Sequence, residues 1–389
     1  METVTKAVRD TVGALTGSQT DSKPQQQSAG VAKSKITKND WILLTGASGF
    51  VAGHVLVALL KAGYKVKCTV RSNEKATKIR SLYRQYASAL DFVIVKDIAE
   101  TGAFDEAVKG VTGVIHTASP FVMENTGDNR KTLLEPAIQG TLNILNSIKT
   151  YNPDVSRVVV TSSFASVLDL SKGDWVGHTY TERDWNPVTY DEAAFADGAF
   201  AYCASKSLAE KAAWNFVKDP SHGNFSLATI CPPMVYGPVD TETMSLSALN
   251  TSTADIYRLM NGSEKKVPNT LFYAWVDVRD VAMAHVRALE AAPKPNGVED
   301  RFLTTPGVFS YKEICEIIAR RFPHLVEAGL TPDPKEADEV PPHYNVDGSK
   351  SVLELQLAYK SLETSMVDTV ESLLKLEKQE GKAQANVTV

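Results

Sequence analysis

The rhythm of apolar positions changes at residue 41. Trp41-Ile42-Leu43-Leu44 is a short unbroken apolar run, the pattern of a strand covered on both faces. Beyond it Val51, Val55, Leu56, Leu59 and Leu60 recur at three- and four-residue steps, which predicts a helix ending at Gly63. The alternation then repeats. Residues 65–70 predict a strand, 76–87 a helix, 92–95 and 114–116 strands, 133–148 a helix, 158–160 a strand, 205–217 a helix and 227–230 a strand. Repeated strand–helix units joined by right-handed crossovers give an α/β fold, a doubly wound parallel sheet with helices on both faces. After about Pro232 proline and glycine become frequent and strand signals shorten, so the remainder is expected to form a smaller α+β region closing over the carboxyl edge of the sheet.

Composition narrows the function classes. Among 389 residues 43% are hydrophobic and 22% charged, ordinary globular usage that excludes wholesale disorder and fibrous repeats. The charge balance, 41 − 46 = −5, lacks the broad basic footprint of a nucleic-acid binder. Cys68, Cys203, Cys231 and Cys315 are widely spaced with no Cys-x-x-Cys pair, which argues against zinc and a disulfide framework and fits a reducing, cytoplasmic location. The seven histidines show no metal-ligand spacing, so no metal is expected. No run approaches the roughly 20 apolar residues that span a bilayer, and no membrane association is expected. Residues 1–38, polar around Gln25-Gln26-Gln27, read as a disordered extension, and 378–389 as a frayed tail.

Gly46-x-x-Gly49-x-x-Ala52 follows the first strand and opens the first helix. Gly46 permits a tight turn, Gly49 lets a pyrophosphate approach the backbone, and Ala52 allows close helix–strand packing. With Ser48, Phe50 and Val51 this loop presents a helix N-terminus to phosphates; the alternative is an ordinary strand-to-helix turn. The expected organisation is therefore a Rossmann-type dinucleotide-binding domain over 39–235 and a substrate-binding region over 236–377, with segments around 272–290 returning to the first domain. After the second strand Arg71 stands where an NAD-binding chain usually carries an acid, and Lys75 adds a second cation. A guanidinium suits a 2′-phosphate, so NADPH is favoured over NADH; the alternative is two solvated loop charges. Asp97, with Ile98 beside it, is placed to accept from an adenine amino group or to cap the following turn.

Tyr202-Cys203-Ala204-Ser205-Lys206 carries the chemistry. A tyrosine and a lysine four apart share one helix face. A nearby ammonium favours phenolate, so Lys206 is expected to lower the Tyr202 pKa and make it a usable proton donor. Ser163 follows the strand 158–160 and is expected either to hydrogen-bond a substrate carbonyl or to cap a turn.

Together these segments resemble the extended short-chain dehydrogenase/reductases, and more narrowly the dihydroflavonol-reductase-like group with its fungal and yeast NADPH-dependent aldehyde, ketone and methylglyoxal reductases. The resemblance spans roughly residues 39–375 and includes Thr117-Ala118-Ser119, Gly140-Thr141, Pro232-Pro233-Met234-Val235 and Val276-Asp277-Val278-Arg279-Asp280. It implies a catalytic set of Ser163, Tyr202 and Lys206. Thr117, Ala118 and Ser119 would pass under the cofactor, Pro232 and Val235 would lie on its nicotinamide side, and Ser247 would approach the phosphates. By fold analogy Phe121, Met123, Tyr236 and Met244 line an apolar pocket or pack in the core. One departure stands out: Ala137 occupies a position where many members carry asparagine. The implied activity is reduction of a small-molecule aldehyde or ketone by a monomer or homodimer. The alternatives are an NAD-dependent nucleotide-sugar epimerase or dehydratase of the same superfamily, or a non-catalytic NADPH-binding sensor.

Overall fold

The apolar run at residue 41 is strand β1 (Trp41–Thr45), in which Ile42, Leu43 and Leu44 have no exposed surface, so neither face meets water. The computed structural model describes residues 36–119, 128–222, 225–293 and 300–381. Most of the 1–38 extension, the last part of the tail, and Phe121 and Met123 lie outside them. Ile36 packs on the core and the Lys38 ammonium pairs with Glu290 at 2.5 Å.

β1 is followed in the main sheet by β2 (Lys65–Val70), β3 (Leu90–Ile94), β4 (Gly113–His116), β5 (Arg157–Thr161), β6 (Ser226–Cys231) and β7 (Asp300–Leu303). The order across the sheet is β7-β6-β5-β4-β1-β2-β3, and every pairing is parallel. The chain runs outward from β1 to β3 and then returns to β4, so the strand order reverses between β1 and β4. A reversal of this kind opens a crevice beyond the carboxyl ends of the strands.

Alternate residues of each strand face opposite layers. Ile42 and Leu44 pack with α1 (Phe50–Lys61), α2 (Asn73–Leu82) and a late helix, Val278–Glu290. Leu43 packs on the other side with α3 (Glu135–Tyr151) and α4 (Gly198–Lys218). The late helix is α5.

Three features differ from the sequence-based expectation. α2 starts at Asn73 because the Ser72 side chain accepts from the Lys75 N–H at 3.4 Å; it ends at Leu82, and residues 84–89 form a tighter turn. α4 begins at Gly198 rather than near 205, which carries both Tyr202 and Lys206 inside one helix. β7 had no counterpart in the apolar pattern because it opens with Asp300 and Arg301. Both are buried in ion pairs, Asp300 with Arg157 at 2.8 Å and Arg301 with Glu210 at 2.8 Å.

Beyond residue 231 a three-stranded sheet of Met234–Tyr236, Ala274–Asp277 and Gly307–Val308 packs with helices Tyr311–Arg321 and Leu362–Gln379 around a second core that includes Phe309, Ile314, Met366 and Leu373. Residues 378 and 379 thus still belong to the last helix. Among the described residues no helix is long and apolar enough to cross a membrane.

Candidate active site

The crevice is built first at the end of β1. Gly46 has φ +68°, the left-handed region that glycine enters without strain. A Cβ at this position would lie 3.2 Å from both the Cα and the Cβ of Ala118, so the turn and the segment after β4 touch backbone to backbone. Gly49 caps α1 with no side-chain hydrogen bond, and the first turn holds no acid. The opening N–H groups of α1 therefore keep their partial positive charge for an anion. The Thr45 hydroxyl accepts from the N–H groups of Thr117 (3.1 Å) and Ala118 (3.0 Å) and bonds the His116 ring at 2.9 Å, while Thr117 donates to the Thr45 carbonyl. Burial, helped by the Lys206 charge, pushes the His116 imidazole down to about 4, so it is neutral at physiological pH.

Helix α4 docks onto this arrangement. The Lys206 ammonium donates to the Ser119 hydroxyl at 2.5 Å, and Tyr202 lies one turn earlier, its ring centroid 5.3 Å from Nζ. The turn Phe164–Ser166 after β5 packs against α4 and is capped by Ser163, whose Oγ accepts from the Ala165 N–H at 3.1 Å. That bond uses the hydroxyl as acceptor and leaves its own O–H to donate. The Phe164 N–H donates to the Pro232 carbonyl at 2.9 Å, which ties the turn to the segment after β6.

The acidified phenol expected from the sequence is not what the structure holds. Burial raises Tyr202 to about 12 and lowers Lys206 to about 8. Desolvation disfavours both charged forms, and the ammonium is engaged with Ser119. Tyr202 is therefore protonated, and Lys206 charged, at neutral pH.

Arg71 is exposed at the end of β2 and Lys75 is exposed on the first turn of α2; Lys75 borders, with Ser48, Gly49, Phe50 and Met244, a crevice of about 1160 Å³. Ser247 is exposed in the short 3-10 turn Leu246–Ala248, and its neighbours Ser245 and Ala248 line this crevice. Asp97 accepts from the Ala99 N–H at 2.8 Å, the capping role, and the Ile98 carbonyl accepts from Asn143 at 2.9 Å. Val235 is half-buried, its carbonyl bonded by Ser252 at 2.6 Å. Tyr236 differs from the pocket role: it is 1% exposed and packs edge-on against Phe309 in the C-terminal core.

Glu210, absent from the residues the motifs single out, also belongs to this arrangement. It continues the spacing Tyr202–Lys206 by one more turn, and its carboxylate accepts from both Ser162 and Ser166 at 2.6 Å, the residues bracketing Ser163 and its turn. The i, i+4, i+8 series was the signal available. Val51 on α1 packs at the edge of the first core.

Residues 42–299 match the NAD dependent epimerase/dehydratase family. The chain is 41% identical over 340 residues to a ketoreductase of Aspergillus niger, covering 86% of this chain and 97% of that protein. It is 36% identical over 346 residues to the NADPH-dependent methylglyoxal reductase of Saccharomyces cerevisiae, covering 86% and 98%. The crystal structure of the yeast methylglyoxal/isovaleraldehyde reductase complexed with NADPH matches with a TM-score of 0.78 at 34% identity, over 87% of this chain and 99% of that one. With its reversed strand order, its glycine turn and its Tyr-x-x-x-Lys helix meeting at one sheet edge, the chain belongs to the NAD-dependent epimerase/dehydratase family, the extended short-chain dehydrogenase/reductases, within the dihydroflavonol-reductase-like group.

Proposed function

We propose that the protein reduces an aldehyde or ketone to the alcohol with NADPH. The residues present fit that cofactor. The Gly46 turn takes a left-handed φ and packs directly on Ala118, the α1 N-terminus has no acidic side chain in its first turn, and the residue after β2 is Arg71 rather than an acid. Arg71 and Lys75 would hold a 2′-phosphate; Gly46, Ser48, Gly49 and Phe50 the pyrophosphate; Thr117, Ala118, Ser119, Pro232 and Val235 the nicotinamide half. When bound, NADPH supplies hydride to the carbonyl carbon. Tyr202, protonated below its raised pKa, gives the proton to the carbonyl oxygen. Ser163 donates to the same oxygen as negative charge develops there. Lys206, still charged at neutral pH, stabilises the phenolate left behind. The relatives named as an NADPH-dependent methylglyoxal reductase and a ketoreductase support this substrate class. Four buried, unpaired cysteines support a reducing compartment.

One observation carries the reading: the contact series Gly46–Ala118, Ser119–Lys206 and Lys206–Tyr202, which joins the phosphate turn to the phenol along a single sheet edge. The test follows NADPH oxidation with a panel of small aldehydes, dicarbonyls and bulky ketones. Tyr202→Phe is expected to abolish turnover and retain NADPH binding. Turnover near the parental rate in that variant removes Tyr202 from its role.

A further inference from the structure

Glu210 and Arg301 form the most deeply buried ion pair among the described residues, 1–2% exposed on each side chain. Burial alone would raise the carboxyl; the guanidinium and the two serine hydroxyls hold it below the usual range. Apolar residues of similar volume often serve stability as well as such a pair, so its burial is weak evidence of a stabilising role. Its contacts show what it organises. Glu210 Oε2 accepts from Ser162 Oγ and Ser166 Oγ, each at 2.6 Å; Oε1 accepts from Thr229 Oγ1 at 2.7 Å and from Arg301 Nε at 2.8 Å. Arg301 Nη2 donates to the carbonyl and hydroxyl of Ser166, both at 3.0 Å. Its Nη1 donates to the carbonyls of Glu182 and Asp184, and its Cζ lies 3.6 Å from the Trp185 ring centroid. One buried charge pair thus grips α4, the turn bearing Ser163, and the excursion over residues 182–185.

We propose that Glu210, clamped by Arg301, is the positioning residue that sets the Ser163 hydroxyl relative to the Tyr202 phenol, so that both donors address one carbonyl oxygen. The proposal rests on the reading that Ser163 and Tyr202 act on the substrate. Tyr202, Lys206 and Glu210 occupy successive turns of one helix, so the helix carrying the proton donor also carries the group that holds the serine turn. A carboxylate accepting from the Ser162 and Ser166 hydroxyls holds the chain on both sides of Ser163. A misplacement of about 1 Å costs on the order of 10²-fold in rate.

The test is a cycle of four purified proteins: parent, Glu210→Gln, Ser163→Ala and the double variant. Each is assayed for kcat and KM with the carbonyl substrate that turns over fastest, and for NADPH Kd by fluorescence. Glu210→Gln is expected to lower kcat about 10- to 100-fold with Kd unchanged, and to lower it less than about threefold further once Ser163 is already alanine. A fifth protein, Glu210→Met with Arg301→Met, removes the pair without stranding a charge. It is expected to melt near the parent while keeping the low kcat. The same fold-loss from Glu210→Gln in both backgrounds overturns the proposal, and so does a Met/Met protein that recovers kcat together with stability. Parental kcat in Ser163→Ala alone instead takes down the reading of Ser163, and this proposal with it.

Discussion

Lys206 sits in an environment that penalises its own charge, and the size of the penalty can be worked out. Burial lowers its pKa from 10.5 to about 8. At 1.36 kcal/mol per pKa unit, the fully buried limit is about 3 kcal/mol of lost stability. The residue keeps part of its surface in water, so about 1–2 kcal/mol is the discounted figure. Lys206→Met keeps the chain length and removes the charge. It also gives up the Ser119 hydrogen bond, about 0.5–1 kcal/mol. Below pH 8 both folded and unfolded parent are protonated, and the penalty is fully present. Between pH 8 and 10.5 the unfolded chain binds the extra proton, so the parent gains stability relative to the variant. Above 10.5 the penalty is gone and only the lost hydrogen bond remains. The cofactor-free Met variant is therefore expected to be at least as stable as the parent at pH 7, by up to about 1.5 kcal/mol, and no more stable above pH 10.5. Urea unfolding of both proteins at pH 7, 9 and 10.5, compared at each pH, reads the difference as a shift in midpoint at constant slope. A Met variant less stable at pH 7, or a difference that does not change with pH, refutes the reasoning. Turnover is expected to be lost in the same protein, a trade of stability for activity.

Other outcomes follow from single features. Arg71→Asp is expected to raise the NADPH Kd at least about tenfold and leave NADH binding unchanged; equal losses in a titration of both cofactors would mean that Arg71 does not read the phosphate. Gly46→Ala forces a side chain into left-handed φ against Ala118, costing about 1–2 kcal/mol, and weakens NADPH binding. Gly53→Ala is the contrast: its Cβ meets nothing within 4 Å, and as a helical substitution it should gain about 0.5–1 kcal/mol and bind normally. Thermal melts and cofactor titration of the two variants check the pair. Asp300→Asn leaves Arg157 buried without its carboxylate and is expected to cost about 3–5 kcal/mol in urea unfolding; a cost under 1 kcal/mol would show that the pair is not a structural clamp.

The central sheet was legible because its strands are buried on both faces and so read as unbroken apolar runs. Ile42-Leu43-Leu44 and Val158-Val159-Val160 are examples. β7 was not, since its first two residues are charged and become strand-compatible only when Arg157 and Glu210, far away in sequence, neutralise them. Tyr202 and Lys206 were legible from their spacing, yet the sign of the Tyr202 shift was not, because desolvation is a property of the assembled site. For Tyr236 fold analogy left pocket lining and core packing both open, and a ring edge from Phe309, more than seventy residues later, decides for the core. The αL turn at Gly46 was readable because only glycine takes that φ without cost, but its contact with Ala118 required the sheet order.

Asp300 and Arg301 are neighbours on one strand, so they point to opposite layers of the sheet. During synthesis these two side chains emerge last among the partners they serve. A nascent chain that has reached only residue 299 already contains Arg157 and Glu210 but has nothing to neutralise them. Burying either at that stage would strand a charge in the interior, so the parts of the two layers around Arg157 and Glu210 are expected to stay open until the seventh strand arrives. Since domains fold as units while the chain lengthens from its N-terminus, the serine turn and its helix are expected not to harden before β7 is made. A ribosome-stalled fragment lacking β7 should leave that region open to proteolysis even where β1 to β4 have already set.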